Sequence, residues 1–447
     1  MPKGQHEHGR LGDTLDTIAG VRIPNKPSSS LWDIAIQDGR IASIDAHASK
    51  GTNIASSART LDGANRLIAP SLCHSHIHLD KCFLLQDAKF SHLQIESGDF
   101  KEAMELTGEA KSHFEEQDLL RRGRQLIQES IQHGVTAMRA FVEVDGIVGE
   151  KCLHAGLKLK KEFKDQCQVQ LCAFAQLPLF SGDDRGAAVR KLMSRAASYS
   201  AVEALGSTPY VEDNHSLSKD NVQWVTQLAL SHNKHLDLHL DYFIEEGKQP
   251  LVWDALTLIR EQHWLERTGK TISFGHCTRL SRFQEDDWKK LRLTIGELPV
   301  TFVGLPTSDL FIMKTPDDAR ATLPVTALIN EFELNATIAL NNVGNAFTPT
   351  ASCDPLSIAQ LGVVLYHAGT KKDTELLYET VSSRAKAAIG VEGTSLSLEV
   401  GEPADFVLFD RMDVGWRCRK SVSEVVYDAG QSRQTIYRGR VTAHDSR

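Results

Sequence analysis

The feature that most constrains the fold is an alternation. Between about residue 70 and residue 390, short apolar stretches of strand length are separated by longer stretches of helical period. The strand-like stretches are 67–73, 135–141, 169–174, 202–207, 235–239, 271–276, 300–303 and 336–340. Residues 119–132 illustrate the segments between them. Leu119, Leu120, Leu126, Ile127 and Ile131 are the apolar positions, and Gly134 is placed to end the helix. Parallel strands need long crossovers, and repeated strand–helix alternation supplies them. About eight strands is the number that closes a barrel, so the expected class is α/β, a (β/α)8 TIM barrel.

The flanks have a different texture. Residues 33–37 alternate apolar and polar, Asp38-Gly39 provides a two-residue turn, and residues 40–44 answer as the return strand. Pro24, Pro27 and Ser28 to Ser30 mark a loop before this hairpin. Near the other end, 403–410 reads as a strand and 435–441 as another with a glycine interruption. The simplest assembly joins segments 1–69 and 391–447 into one small β-sandwich beside a barrel formed by 70–390.

Composition narrows the function classes. A hydrophobic fraction of 41% over 447 residues supports a large core. Fifty Lys and Arg against 58 Asp and Glu give a net charge of −8, with no dense basic run. Neither nucleic acid nor a membrane surface is therefore an expected partner. Residues 1–8 are polar and lack the apolar core of a secretory signal, and no run of about 18 apolar residues occurs, so a cytoplasmic protein is expected. The eight cysteines fall singly, at 73, 82, 152, 167, 172, 277, 353 and 418, as reduced and mostly buried thiols would. Glycine-rich phosphate loops and a GxSxG elbow are absent.

The chemistry concentrates at strand ends. In His76-Ile77-His78 the two imidazoles lie two residues apart, so a strand aims both to one side. They sit at the carboxyl end of the first strand, where barrel active sites form. Alone, this pair could be a histidine-rich turn, since His74 adds a third ring. However, His239 ends the fifth strand, His276 the sixth, and Asn341-Asn342 the eighth. Recurrence at one end of successive strands favours a bound metal, and neutral imidazoles suit Zn²⁺ or Fe²⁺.

With these residues in place, the chain resembles the amidohydrolase superfamily, and its cytosine-deaminase-like branch in particular. The matching stretches are His76-Ile77-His78-Leu79-Asp80, Arg139 in the second strand, Ala173-Phe174-Ala175-Gln176, Asp237-Leu238-His239-Leu240-Asp241 and the closing Gly401-Glu402-Pro403-Ala404-Asp405-Phe406. The resemblance implies that His76, His78 and His239 hold one divalent ion, that His276 helps activate water, and that Gln176 contacts the substrate. Two positions depart from the branch. Asn341 stands where it has a metal-ligating Asp that also takes a proton, and Tyr242 stands where it has a proton-shuttling Glu. An amide can coordinate through its oxygen but cannot act as a base, and a phenol near neutrality is a donor. The ends of the third and fourth strands, Gln176-Leu177-Pro178 and Gly206-Ser207-Thr208-Pro209, carry no Lys to bridge two metals, so a mononuclear centre is expected.

The expectation is a metal-dependent hydrolase that cleaves a non-peptide C–N bond, in a cyclic amide or amino-heterocycle, by a metal-activated water. Its small-molecule substrate would meet Gln176, Arg139 and Phe347, with Gln176 and Arg139 either touching it or bracing the pocket; its metal His76, His78, His239 and Asn341; its catalytic groups would be His276, Asp309 and Tyr242. Asp309 has two readings, a base at the end of strand seven or the cap of the next helix. Asp80 is expected to orient a histidine, and Asp241 shares the inward parity of His239. The missing carboxylates keep two alternatives open: the same barrel running a decarboxylation, isomerisation or cyclisation, or a ligand-binding relative without turnover. The helical outer faces of a barrel are compatible with a homo-oligomer.

Overall fold

The structure, a computed structural model, describes residues 12, 14–27, 29–47, 59–315, 317–410, 419–430 and 432–444. The polar start at 1–8, Ser28 and Cys418 lie outside them. Eight parallel strands form the central sheet in sequence order: Leu72–His78, Val135–Glu143, Gln168–Ala175, Val202–Ser207, His235–Leu240, Ile272–His276, Val300–Gly304 and Ala336–Ile338. The first and last strands share no ladder, and the ring is closed between them by a single backbone bridge. His78 N–H donates to the Asn341 carbonyl at 2.8 Å, and Ile77 bridges Asn341. The expected barrel is present, and the helix expected over 119–132 runs as Glu116–Gln132.

The first strand differs from the reading of 67–73. Leu67–Pro70 pairs antiparallel with Phe406–Phe409, and the barrel strand begins only at Leu72. Both pieces are wholly buried, so one apolar run serves two sheets and its pattern could not show the switch. The eighth strand stops at Ile338 instead of continuing to 340, where the chain turns toward Asn341 at φ 65°. Residues 435–441 are not one interrupted strand. Arg433–Tyr437 and Arg440–His444 form an antiparallel hairpin through Arg438-Gly439, both at positive φ.

The terminal segments build two four-stranded sheets. One holds Arg40–Ala46, Trp32–Gln37, Thr17–Val21 and Thr60–Asp62; the other holds Arg440–His444, Arg433–Tyr437, Phe406–Phe409 and Leu67–Pro70. Ile18, Ile34, Ile68, Phe406, Leu408 and Ile436 fill the space between them. Val407 and Phe409, on the alternate face of the same strand, join the barrel core instead. The C-terminal sheet is thus a middle layer, covered on both faces, which explains why Phe406–Phe409 is uniformly apolar and buried. Seven described cysteines are buried and free, and no described helix is long and apolar enough to cross a membrane.

Candidate active site

The first barrel strand is irregular where it matters. Its register against the second strand shifts between His74 and Ile77. This bulge turns His74 outward, where Nε2 meets Ser130 Oγ on the outer helix at 3.1 Å, while His76 and His78 face the interior. The third histidine of the motif is therefore a packing residue. His76, His78 and His239 bring one ring nitrogen each within 4.8 Å of one another, and all three are buried. His78 and His239 face each other with their Nε2 atoms 3.2 Å apart. Phe141 and Phe174 form an apolar floor, with ring centroids 4.1 Å from His76 and 4.3 Å from His239 respectively.

Burial drives the pKa of all three rings well below the usual imidazole value, so they are neutral, as metal ligation requires. Both ring nitrogens of His76, the Nδ1 atoms of His78 and His239, and Asn341 Oδ1 are buried without a hydrogen-bond partner. Unpartnered buried polar atoms cost about 1–3 kcal/mol each, and the facing Nε2 atoms of His78 and His239, with a bare nitrogen of His76 nearby, mark a place for a ligand. A divalent cation fits this donor set of neutral imidazoles and an amide oxygen. Asn341 Nδ2 donates to Ser308 Oγ at 2.7 Å, which leaves the oxygen as the end facing the cluster, beside His76.

His276 adjoins this group. Its ring centroid is 5.1 Å from that of His239, and its Nδ1 lies 2.8 Å from Asp309 Oδ1. Asp309 is in the short helix Pro306–Ile312, and its second oxygen accepts from Thr322 Oγ1 at 2.6 Å and from the Leu305 N–H at 3.3 Å. Asp309 thus sits in the first turn of its helix, with one oxygen on the Leu305 N–H of the helix start and the other on His276, where it orients the ring. Burial raises its pKa against the pull of the His276 contact. Tyr242 stacks on His276 with centroids 3.7 Å apart at 26°, and its hydroxyl reaches only the Ser308 carbonyl at 3.4 Å. The stack makes it a support for the ring.

Three other expectations change. Arg139 does not line the cavity. It lies in the barrel interior, donating from Nε to Gln170 Oε1 at 2.6 Å and from Nη1 to Asp237 Oδ2 at 2.8 Å and Ser273 Oγ at 3.0 Å. Asp80 orients no histidine; its Oδ2 accepts from the Glu143 N–H at 2.6 Å. Asp241 faces the loop that follows, accepting from Leu251 and Val252 N–H at 2.7 and 3.0 Å, and burial lifts its pKa to about 7. Gln176 and Phe347 do reach the cavity, together with His78, His239, His276 and Asn341.

Sequence reasoning missed a charged cluster beside them. Lys81 Nζ donates to Glu143 Oε1 at 2.7 Å and to Gln176 Oε1 at 3.3 Å. Lys111 bonds both Glu143 and Asp145. Burial alone would raise the Glu143 pKa, but the two ammonium groups pull it below the usual carboxylate value. Glu143, Asp80 and His78 also lie close enough to hold an ion. With two lysines clamped on Glu143, that place is already supplied with cations. The signal in the sequence was Lys81 directly after the His-bearing motif, and Glu143 two residues beyond Phe141 on the inward parity of its strand.

Comparisons with known proteins show the same fold. No family model matches the chain. It is 22% identical over 416 residues to N-isopropylammelide isopropyl amidohydrolase of Pseudomonas sp. (strain ADP), covering 93% of this chain and 94% of that one. Among solved structures, 5-methylcytosine deaminase from Klebsiella pneumoniae superposes with a TM-score of 0.81 at 20% identity, covering 96% of this chain and 98% of the other. N-isopropylammelide isopropylaminohydrolase from Burkholderia multivorans gives 0.76 at 22% identity, covering 97% and 99%. The fold is that of the amidohydrolase superfamily, and the chain resembles its cytosine-deaminase-like branch.

Within this amidohydrolase fold, the pairing of His276 with Asp309 makes a direct prediction. Asp309→Asn keeps a hydrogen-bonding side chain but removes the carboxylate contact to His276 Nδ1. Turnover should fall by about 10- to 100-fold while the melting temperature changes little. Unchanged turnover in a folded variant would remove Asp309 from the site's working parts.

Proposed function

We propose that this chain is a metal-dependent hydrolase acting on a C–N bond of a cyclic amide or amino-heterocycle. The observation that carries the reading is the buried cluster of His76, His78 and His239, whose neutral rings converge with an unpartnered amide oxygen of Asn341. The amidohydrolases and deaminases to which the chain is similar support it. One divalent ion, Zn²⁺ or Fe²⁺, held by these residues would supply Lewis-acid activation of water. His276, backed by Asp309, is the group placed to accept the proton and return it to the departing nitrogen. Tyr242 fixes the plane of that ring, and Gln176 and Phe347 line the cavity beside it. Phe141 and Phe174 keep the floor apolar and exclude water from below.

The absence of a carboxylate at Asn341 and Tyr242 favours a second reading, in which the same site runs a non-hydrolytic step. Two measurements decide between them. Elemental analysis of protein purified without chelators should find one ion per chain. Turnover in ¹⁸O-labelled water should place the label in the product. Metal without label supports a lyase, isomerase or cyclase; no metal removes the hydrolase reading.

A further inference from the structure

The cavity at the strand ends has a volume of about 10 Å³, the space of a single water, so no ring enters it until its cover moves. That cover is apolar. Phe100, half-buried at the start of the helix Phe100–Ser112, sets its ring edge-on to Tyr210, Tyr242 and Phe347, with centroids 6.0, 5.9 and 6.0 Å apart. No polar contact fastens this end to the barrel. Among the described residues, every hydrogen bond and ion pair of residues 94–110 ends within 88–113. The Glu102 carboxylate, for example, accepts from the N–H groups of Glu96, Ser97 and Gly98. No described helix or strand runs alongside. The far end is moored instead, where the buried Lys111 bonds Glu143 and Asp145 at the exit of the second strand. Between tip and mooring lies Gly108. Open space surrounds the position a Cβ would take there, so packing demands no glycine, and the residue weakens the helix relative to alanine.

We propose that the helix Phe100–Ser112 is a lid over this cavity. Its Phe100 end lifts from Tyr210, Tyr242 and Phe347 by bending at Gly108, while Lys111 holds the other end to the barrel. The contacts that break are aromatic and few, so opening strands no buried polar group. The caps at Asp99 and Glu102 travel with the lid, because their partners lie inside the moving segment, and the helix stays capped in both positions. A segment fastened by rings at one end and by an ion cluster at the other has two arrangements, shut and raised. The lid controls entry only if the cavity is the ligand's site, and to that extent it rests on the hydrolase reading.

The test reads opening without substrate or metal. Gln176 lines the cavity, so methyl methanethiosulfonate reaches the thiol of Gln176→Cys only when the lid is raised. Peptide mass spectrometry separates that thiol from the native cysteines, of which the seven described are buried. In this background Phe100→Ala should speed labelling by at least about tenfold. Gly108→Ala should slow it about fivefold while raising the melting temperature. Unchanged labelling in either variant overturns the lid, and so does a Gly108→Ala protein that gains stability at an unchanged rate. If Gln176→Cys does not fold, hydrogen exchange of the wild type decides. The amides of residues 100–107 should exchange at least about tenfold faster than those of Glu116–Gln132, and equal protection overturns the lid. Elemental analysis of the same protein keeps the two ideas apart. A chain that takes up no metal but labels as described loses the hydrolase reading and keeps the lid. A metal-loaded hydrolase whose labelling ignores both substitutions does the reverse.

Discussion

His239→Ala should abolish stoichiometric binding of a divalent ion and lower C–N hydrolysis by about 10³-fold or more, because metal activation of water supplies several kcal/mol of the barrier reduction. The expectation follows from geometry. His76 and His78 share one strand, and His239 is the ligand that reaches them from across the barrel. Without it, two imidazoles and an amide oxygen remain, a poor site for a tetrahedral ion. Stability offers a readout independent of turnover. Added Zn²⁺ should stabilise the chelated wild type, by about 2.7 kcal/mol at a hundredfold excess over Kd, and should not stabilise the variant. A variant that retains one ion per chain would show that the ion sits elsewhere.

The second large effect concerns folding. Arg139→Met should destabilise the protein by about 3–5 kcal/mol, since it strands a charge in the barrel interior. Arg139 and Asp237 are both fully buried, and burial already lifts the Asp237 pKa to about 6 despite the guanidinium beside it. Removing the cation leaves that carboxyl with Ser273 beside it and with one oxygen that already lacks a partner. Replacing Asp237 by Leu in the same background should recover part of the loss, as the uncompensated group is then gone. Denaturation midpoints of the three proteins test this, and a loss below about 1 kcal/mol in Arg139→Met would mean that the pair is not structurally important. The result would also separate Arg139 from substrate recognition, since a residue beneath the site should change stability before it changes specificity.

Much of this molecule was legible in one dimension, because the signals concerned are local. The β/α alternation rests on period, and period is a property of neighbours. The inward parity of His76 and His78, and the placing of His239 and His276 at strand ends, follow from the two-residue repeat of a strand and from where each apolar run stops. Those features determined the barrel, the convergence of three imidazoles and the edge on which the site opens. What only the tertiary structure decided are pairings between distant segments. Leu67–Pro70 belongs to the C-terminal sheet because Phe406–Phe409 lies beside it, and no property of its own residues says so. Asp309 became the partner of His276, Asp80 turned to a backbone N–H of the next strand, and Arg139 sank below the site. Lys81 meets Glu143 and Gln176 from strands 62 and 95 residues away. A side chain's role depends on which acceptor or charge lies within hydrogen-bond reach once the chain has closed. That distance is set by how strands stack around the barrel, not by spacing along the sequence.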